Sequence, residues 1–493
     1  MIGTPPRTIG LARLAASLEG ALVQGDADRE IEGLAHDSRA IRPGYAFVAL
    51  RGERHDGHDF VAQAIARGAV AIVADLARVG SLEIPDGVTL VAIDDTRRAL
   101  ARLSAAFYDR PSSALAVIGV TGTNGKTTTT FLIEAILEAA GVACGRIGTL
   151  GAEFRGESWA LGNTTPLALE LQATLANLRR RGARAVAIEV SSHALALDRV
   201  AEVAFALGVL TNVSLDHLDF HETFENYAAA KRSLFALAAD VIFNADDPLG
   251  RRWAAEFSPS AWRTYGVSSD AAIRATEIAT SPTGTTFLVD GTRFSLRLAG
   301  RFNVANALAA LAVARALRID DAVSAAALAG VTSVPGRMEH IGGAGIAVIV
   351  DYAHTPSALE NVLRAAREGT HGRLIVVFGC GGDRDRGKRP EMGRIASERA
   401  DYLVVTSDNP RGEEPQAIVD EIAAGVADRS RLQLEVDRAR AIRSAVLNAH
   451  AGDRIVVAGK GHETYQVVGG QTRPFDDREE VRAALAERAG RPR

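Results

Sequence analysis

The chain has 493 residues, 47% of them hydrophobic and 24% charged, the composition of an ordinary soluble globular protein. That length exceeds what one hydrophobic core usually serves and predicts roughly two to four domains. The formal charge, 56 basic minus 60 acidic residues or −4, gives no electrostatic case for binding nucleic acid or a membrane surface.

The N-terminus, MIGTPPRTIGLARLAASLEG, lacks a charged region followed by an uninterrupted apolar one, and no apolar run reaches the roughly 18 residues of a membrane span. A first block runs to about residue 110, with strand-like YAFVAL (45–50), AVAIVAD (69–75) and VTLVAI (88–93), and ends in the linker-like YDRPSSA (108–114). A second block opens with LAVIGV (115–120) and continues through ARAVAIEV (183–190), FALGVLTNV (205–213) and DVIFNADDP (240–248). FLVDGTRFSL (287–296) predicts a hairpin turning at Asp290-Gly291, a helix follows from about Asn303 to Leu317, and VPGRMEH (334–340) marks the next boundary. The third block repeats a strand–loop–helix unit: IAVIVDYAHTP, RLIVVFGCGGDRD, DYLVVTSDNPR, LQLEVDRAR and RIVVAGKGHET. Alternating strands and helices predict an α/β protein with mainly parallel sheets, whose ligands bind at the carboxyl ends of the strands. Two cysteines, Cys144 and Cys380, are too few for a disulfide framework and predict buried thiols in a reducing, cytoplasmic compartment.

The chemistry begins at TGTNGKTTTT (121–130). Gly122 and Gly125 let backbone N–H groups turn inward, Lys126 brings a point charge, and the Thr127 hydroxyl can reach magnesium: a nucleotide-phosphate cradle at a helix N-terminus. The usual spacing puts a glycine at position 120, where this chain has Val120; glycines stand at 119 and 122 instead. Glu189 closes its strand just before Ser191, Ser192 and His193, as a magnesium ligand or water-orienting group would. Charged strand exits are common, and the neighbouring hydroxyls tilt the reading towards function. TNVSLDHLDFH (211–221) gathers Asp216, His217, Asp219 and His221, with Lys231 fourteen residues beyond His217. The spacing matches no zinc pattern and suits magnesium better, with Asp219 and His221 read as parts of a polar, capped loop. GCGGDRDRGKRP (379–390) is a basic glycine-rich loop without dinucleotide spacing. SDNPR (407–411) places an acid, an amide and a guanidinium on one turn, suited to a zwitterion whose carboxylate meets Arg411 and whose ammonium meets Asp408. GKGHETYQ (459–466) adds Glu463.

Taken in order, HDSR (36–39), DGHDF (56–60), TGTNGKTT, NTTP (163–166), EVSSHAL (189–195), DHLDFH, GRFNVANALAA (300–310), PGRME (335–339), DYAHTP (351–356), GCGGDRD, DNPR and GKGHE resemble the Mur ligase family. The family's phosphate loop, GxTGTNGKTT, accounts for Val120. The resemblance implies three domains (1–110, binding the UDP substrate; 111–337, the central ATP-binding domain with a phosphate loop; 338–493, Rossmann-like and binding the amino acid). It implies an ATP-dependent amide ligase that adds meso-diaminopimelate to UDP-N-acetylmuramoyl-L-alanyl-D-glutamate through an acyl phosphate, with ATP as co-substrate and Mg2+ as cofactor. It also implies a monomer.

By the same resemblance, Lys126 holds the β- and γ-phosphates, and Gly122, Thr123, Asn124, Gly125, Thr127 and Thr128 complete the loop. Thr127, Glu189, His217 and a carbamylated Lys231 hold the metal; Lys126, Glu189, His217 and Lys231 are the implied catalytic set. Asn303, Asn306, Arg337, Asp351 and His354 clasp the nucleotide. Ser38 lies on the uridine side, with Thr164, Thr165, Ser191 and Arg199 nearer the peptide; Leu197 stands where some members carry glutamine. Arg384, Asp408, Asn409, Pro410, Arg411, Gly459 and Glu463 match the diaminopimelate pocket, and relatives that add L-lysine lack the arginine of DNPR. A folylpolyglutamate synthetase or another Mur ligase would share the phosphate loop, but HDSR plus DNPR speak against both. A nucleotide switch or an inactive scaffold is the reading from another class, and retention of Lys126, Glu189, His217 and Lys231 speaks against it.

Overall fold

The computed structural model describes residues 8–52, 55–257, 264–268, 270–281 and 283–490. Residue contacts gather the chain into two compact units: Met1–Thr121 with Gly141–Val209 and Ala229–Val241, and Gly122–Ala140 with Leu210–Ala228 and Ile242–Arg493. The cuts fall inside the block expected at 111–337, because its strands and its phosphate-loop helix join different units.

The first unit holds a five-stranded sheet in the order Leu22–Gln24, Thr89–Ile93, Ala69–Asp75, Tyr45–Val48, Gly33–Ala35. All neighbours are parallel except the edge strand Leu22–Gln24. Side chains alternate across it with period two. Val73 and Val91 pack with Leu100 and Leu103 of the helix Thr96–Phe107, while Ile72 and Leu90 pack with Val61 and Ala64 of the helix Val61–Ala66. A second sheet in this unit takes in two of the expected apolar runs, LAVIGV and ARAVAIEV, beside three strands that the sequence reading did not name. Ala185–Glu189 lies parallel between Ala116–Thr121 and Cys144–Gly148. The antiparallel pair Gly151–Phe154 and Glu157–Trp159 extends it at one edge.

In the second unit the helix Lys126–Ala139 follows the phosphate loop. The predicted hairpin forms between Gly284–Val289 and Thr292–Leu296, with Asp290 (φ 48) and Gly291 (φ 82) both left-handed, as a two-residue turn requires. The helix expected from Asn303 runs Phe302–Ala316. A six-stranded sheet follows, ordered Glu339–Gly343, Ile346–Asp351, Arg454–Ala458, Leu374–Phe378, Tyr402–Val405, Leu432–Leu434, parallel beyond its first pair. Its strands are apolar on both faces because helices cover both. Val376 and Phe378 belong to one core cluster, Ile375 and Val377 to the other. The last long strand inserts beside Ile346–Asp351, so the loops after residues 351, 378, 405 and 458 open at one sheet edge, the carboxyl ends of parallel strands. Among the described residues no helix is long and apolar enough to cross a membrane.

Candidate functional site

The phosphate loop is shaped by glycines at the two places where its backbone demands them. Gly125 (φ 89) immediately precedes the helix, and a Cβ there would run into Asn306 Oδ1; a Cβ on Gly122 (φ 150) would run into Thr211 Oγ1. Val120 is fully buried in its strand, one turn of chain before the loop needs to bend. The loop is pinned by Thr123 N–H donating to Asn212 O (2.8 Å) and Asn124 N–H to Asn212 Oδ1 (3.0 Å), while Thr211 Oγ1 donates to Asn124 O (2.6 Å). Lys126 Nζ curls over it onto the carbonyls of Gly122 (2.8 Å) and Thr123 (2.9 Å), which puts its ammonium at the mouth of the cradle. Thr128 is buried behind it.

Several predicted nucleotide residues converge on this loop within the second unit. Arg337 Nη2 donates to Thr127 Oγ1 (2.9 Å), and its guanidinium lies over the Tyr352 ring at 4.4 Å. Asp351 fixes the arginine's neighbourhood by accepting from Met338 N (2.7 Å) and Ala353 N (2.8 Å). Burial raises its pKa, against the pull of Arg337. Thr129 Oγ1 meets Asn306 Oδ1 (3.4 Å), and Asn306 Nδ2 donates to Asn303 Oδ1 (3.0 Å). His354 Nδ1 bonds Tyr352 O (2.8 Å), and its pKa is lowered by burial and by Lys388. Lys388 Nζ in turn donates to His354 O (2.9 Å).

Asp216 stands at the centre of this charge distribution. Its Oδ2 is 3.3 Å from His217 Nε2, and His217 adopts a left-handed backbone (φ 53) that turns its ring onto the carboxylate. Burial alone would raise the Asp216 pKa, but His217, His354, Lys388 and Lys126 together hold it below the ordinary carboxylate value. His221, read as part of a capped loop, is buried with its ring edge-on to Phe220 and Tyr227.

The carboxylate Glu189 and the amine Lys231 belong to the first unit, both nearly inaccessible. Glu189 accepts from Thr149 N (2.9 Å) and Thr149 Oγ1 (3.1 Å), and Gly148 leaves it room, since a Cβ there would strike Oε1. Thr149 Oγ1 lies 3.2 Å from Thr164 Oγ1. Thr165 Oγ1 donates to Glu189 O (2.8 Å) and accepts from Ser191 N (3.0 Å), and Arg199 Nη1 donates to Thr165 O (3.0 Å). Thr164, Thr165, Ser191, Arg199 and Glu189 therefore form one bonded cluster, with Thr149 as a member that sequence reading had no signal to find. Ser38 is buried and donates to Gln63 Oε1 (2.7 Å).

At the far strand ends of the six-stranded sheet, Asp408, Asn409, Gly459 and Glu463 come together around Lys460, a fully buried lysine. Asn409 Nδ2 donates to Glu463 Oε2 (2.9 Å), and Gly459 (φ 119) passes so close to Asp408 that a Cβ would sit 2.6 Å from its Oδ2. Arg411, left-handed at φ 54, donates from Nη1 to Gly382 O (2.8 Å). Arg411 Nη1 and Arg384 Cγ lie 2.8 and 3.7 Å from the place a Cβ would take on Gly381, so both arginines flank that glycine; Arg384 itself bonds Asp383 O (3.0 Å). Pro410 O accepts from Glu413 N (3.0 Å). Beneath the turn, Arg438 and Asp477 form a buried bidentate pair (2.7 and 2.8 Å), and the same guanidinium donates to Ser407 O (3.2 Å) and Ala458 O (3.0 Å). Neither residue carries a signal in sequence, where charged positions on helices read as solvated faces.

The donors fit magnesium. Among the described residues no three His, Cys, Asp or Glu side chains could hold a metal by themselves. The Thr127 hydroxyl in the second unit and the buried Glu189 carboxylate in the first are each the kind of oxygen that magnesium takes, with phosphate and water completing its shell. Cys144 and Cys380 are free and buried, and burial pushes the Cys380 thiol up to about 12.

Three family models match successive stretches of the chain. The model of the Mur ligase middle domain matches residues 120–314, that of the Mur ligase glutamate ligase domain 336–461, and that of the Mur ligase family catalytic domain 30–108. A relative from Syntrophomonas wolfei is 46% identical over 483 residues, covering 95% of this chain and 97% of its own. The chain belongs to the Mur ligase family. That relative is named UDP-N-acetylmuramoyl-L-alanyl-D-glutamate–2,6-diaminopimelate ligase, as is one from Gloeobacter violaceus, 48% identical over 477 residues (94% and 96% of the two chains). A solved structure of the same name is 32% identical with a TM-score of 0.66, covering 98% of this chain and 100% of that one. MurF from Acinetobacter baumannii aligns at a TM-score of 0.70 and 20% identity, covering 98% and 100%, and so shares the Mur ligase fold.

Proposed function

We propose that this Mur ligase is the ATP-dependent enzyme that joins meso-diaminopimelate to UDP-N-acetylmuramoyl-L-alanyl-D-glutamate, a step of peptidoglycan precursor synthesis. It would work as a cytoplasmic monomer with three domains at 1–110, 111–337 and 338–493. The observation that carries the substrate reading is the Asp408–Arg411 turn, where a buried carboxylate and a braced guanidinium stand three positions apart on one loop. Together they match the ammonium and carboxylate of an amino-acid centre. The names of relatives aligned over nearly the whole chain support the same substrates.

In the reaction the D-glutamate γ-carboxylate takes the γ-phosphoryl group of ATP, giving an acyl phosphate and ADP. The free amine of diaminopimelate attacks the acyl carbon, and the tetrahedral intermediate loses inorganic phosphate as the nitrogen loses a proton. Magnesium would supply neutralisation of phosphate charge; Thr127 and His217 of the second unit, and Glu189 and a carbamylated Lys231 of the first, are the residues that would hold it. Lys126 would trade its loop carbonyls for the β- and γ-phosphate oxygens, assisted by the N–H groups at the start of the helix Lys126–Ala139, with Gly122, Thr123, Asn124, Gly125, Thr127 and Thr128 completing the loop. Arg337 and Asp351 would clasp the nucleotide, with Asn303, Asn306 and His354. Ser38, Thr164, Thr165, Ser191 and Arg199 would hold the UDP-linked peptide. Arg384, Asp408, Asn409, Pro410, Arg411, Gly459 and Glu463 would orient the amine for attack, where positioning provides much of the acceleration.

Phosphate release from ATP, measured with the UDP-linked dipeptide and either meso-diaminopimelate, L-lysine or no amino acid, tests this. Release is expected only with diaminopimelate; release with lysine instead would refute the pocket assignment, and release without any amino acid would leave only the phosphate loop. Arg411→Ala is expected to lower kcat/KM for diaminopimelate by about tenfold to a hundredfold, because the half-buried guanidinium would lose its charge-assisted bonds to the substrate carboxylate. Near-normal activity and selectivity in that variant would sink the assignment.

A further inference from the structure

Lys460 has a place in the amino-acid pocket that the motif around it does not announce. Its side chain is fully buried, and its ammonium donates to Asn409 Oδ1 (3.1 Å) and Glu463 Oε2 (2.8 Å), stands 3.9 Å from Asp408 Oδ1, and faces the Tyr465 ring at 5.4 Å. Glu463 Oε2 also accepts from Asn409 Nδ2, so that oxygen is doubly occupied. Glu463 Oε1 has no hydrogen-bond donor among the described residues. A buried ammonium is a costly way to brace a loop unless its charge has a use.

We propose that Lys460 is a specificity-determining residue. It pins Glu463 through one oxygen and cancels one of the pocket's two carboxylate charges, so that the site binds one ammonium accompanied by a carboxylate and rejects a bare ammonium. This rests on the diaminopimelate reading above. The physical reason is a count of charge. Asp408, Glu463 and Arg411 gather around Tyr465, and Arg384 stands with Arg411 beside Gly381; counted with Lys460, these five groups sum to a net positive charge. A zwitterionic distal centre is neutral and supplies a carboxylate for the guanidinium. The distal end of L-lysine brings a further positive charge and nothing to pair with it. Without Lys460 the two carboxylates would attract that second kind of ligand.

The test compares the full-length wild type with Lys460→Met, the milder Lys460→Gln, and Lys460→Met/Glu463→Gln, which removes one charge of each sign and leaves the pocket's net charge unchanged. Initial rates of phosphate release are measured against meso-diaminopimelate and L-lysine, with thermal unfolding of each protein. Both single variants are expected to lose discrimination between the two amino acids by about tenfold to a hundredfold, the range of one charged hydrogen bond. KM for ATP should not change. The double variant is expected to return discrimination to within a few-fold of wild type, which a purely structural lysine would not do. A folded single variant with wild-type discrimination, or a double variant no better than the singles, would overturn the proposal. Wild-type preference for L-lysine would instead overturn the substrate reading, and this proposal with it.

Discussion

Replacing Lys126 by methionine is expected to lower the rate of ATP-dependent phosphate release by about a thousandfold while leaving the protein folded. The ammonium sits at the mouth of a loop whose glycines hold two carbonyls within 2.8 and 2.9 Å of it. A triphosphate entering that cradle offers stronger acceptors than carbonyls, and charge-assisted bonds of this kind contribute most when phosphate charge shifts during transfer. Loss of one preorganised donor at such a site costs about a hundredfold to a thousandfold, and here the lost group is a full charge. The side chain bonds backbone carbonyls of its own loop, so the melting temperature should move by no more than a few degrees. Phosphate release and thermal unfolding measured on the same preparation check both halves. Turnover near the wild-type rate would mean that this loop does not hold the triphosphate.

The second large effect is on stability. Asp477→Ala should cost about 3–5 kcal/mol, because it strands the guanidinium of Arg438 inside the sheet's edge without its counter-charge. Both side chains are fully inaccessible, and burial works against the charge on Arg438 while Asp477 restores it. The pair also spans the two strands that carry the pocket, through Arg438's bonds to Ser407 O and Ala458 O. Asp477→Ala should therefore shift the urea midpoint downwards and raise KM for the amino acid together. The double variant Arg438→Met/Asp477→Leu should recover most of the stability, since two apolar side chains leave no unpaired charge. It should not recover KM, because the two carbonyls lose their common donor. An unchanged urea midpoint in Asp477→Ala would show that the pair contributes nothing net.

Much of the architecture could be read along the chain. The run AVAIVAD is the strand Ala69–Asp75 residue for residue, and Asp290-Gly291 makes the turn its composition announces. The repeated strand–loop–helix units of the third block build the parallel sheet they imply, with DYAHTP, DNPR and GKGHE at the same sheet edge. The apparent fault at Val120 also resolves locally, since the glycines fall where φ is left-handed and space is absent. Harder to read was who holds whom. Thr149 fixes Glu189 from 40 positions away, and Asp477 meets Arg438 from 39. Lys388 belongs to a basic loop yet bonds His354 and bears on Asp216. Lys460 lay in plain view between two glycines, and only its burial distinguishes it from a solvated lysine.

The sequence by itself determined most of the long strands and helices, the glycine bends of the loop before Lys126 and the order of the loops, because strand period, left-handed turns and helix starts depend on sterics within a few residues. Only the tertiary structure decided which charges are buried, which oxygens are already bonded and which remain open to a ligand. Those properties come from desolvation and from partners that arrive from remote segments, and no local pattern encodes them.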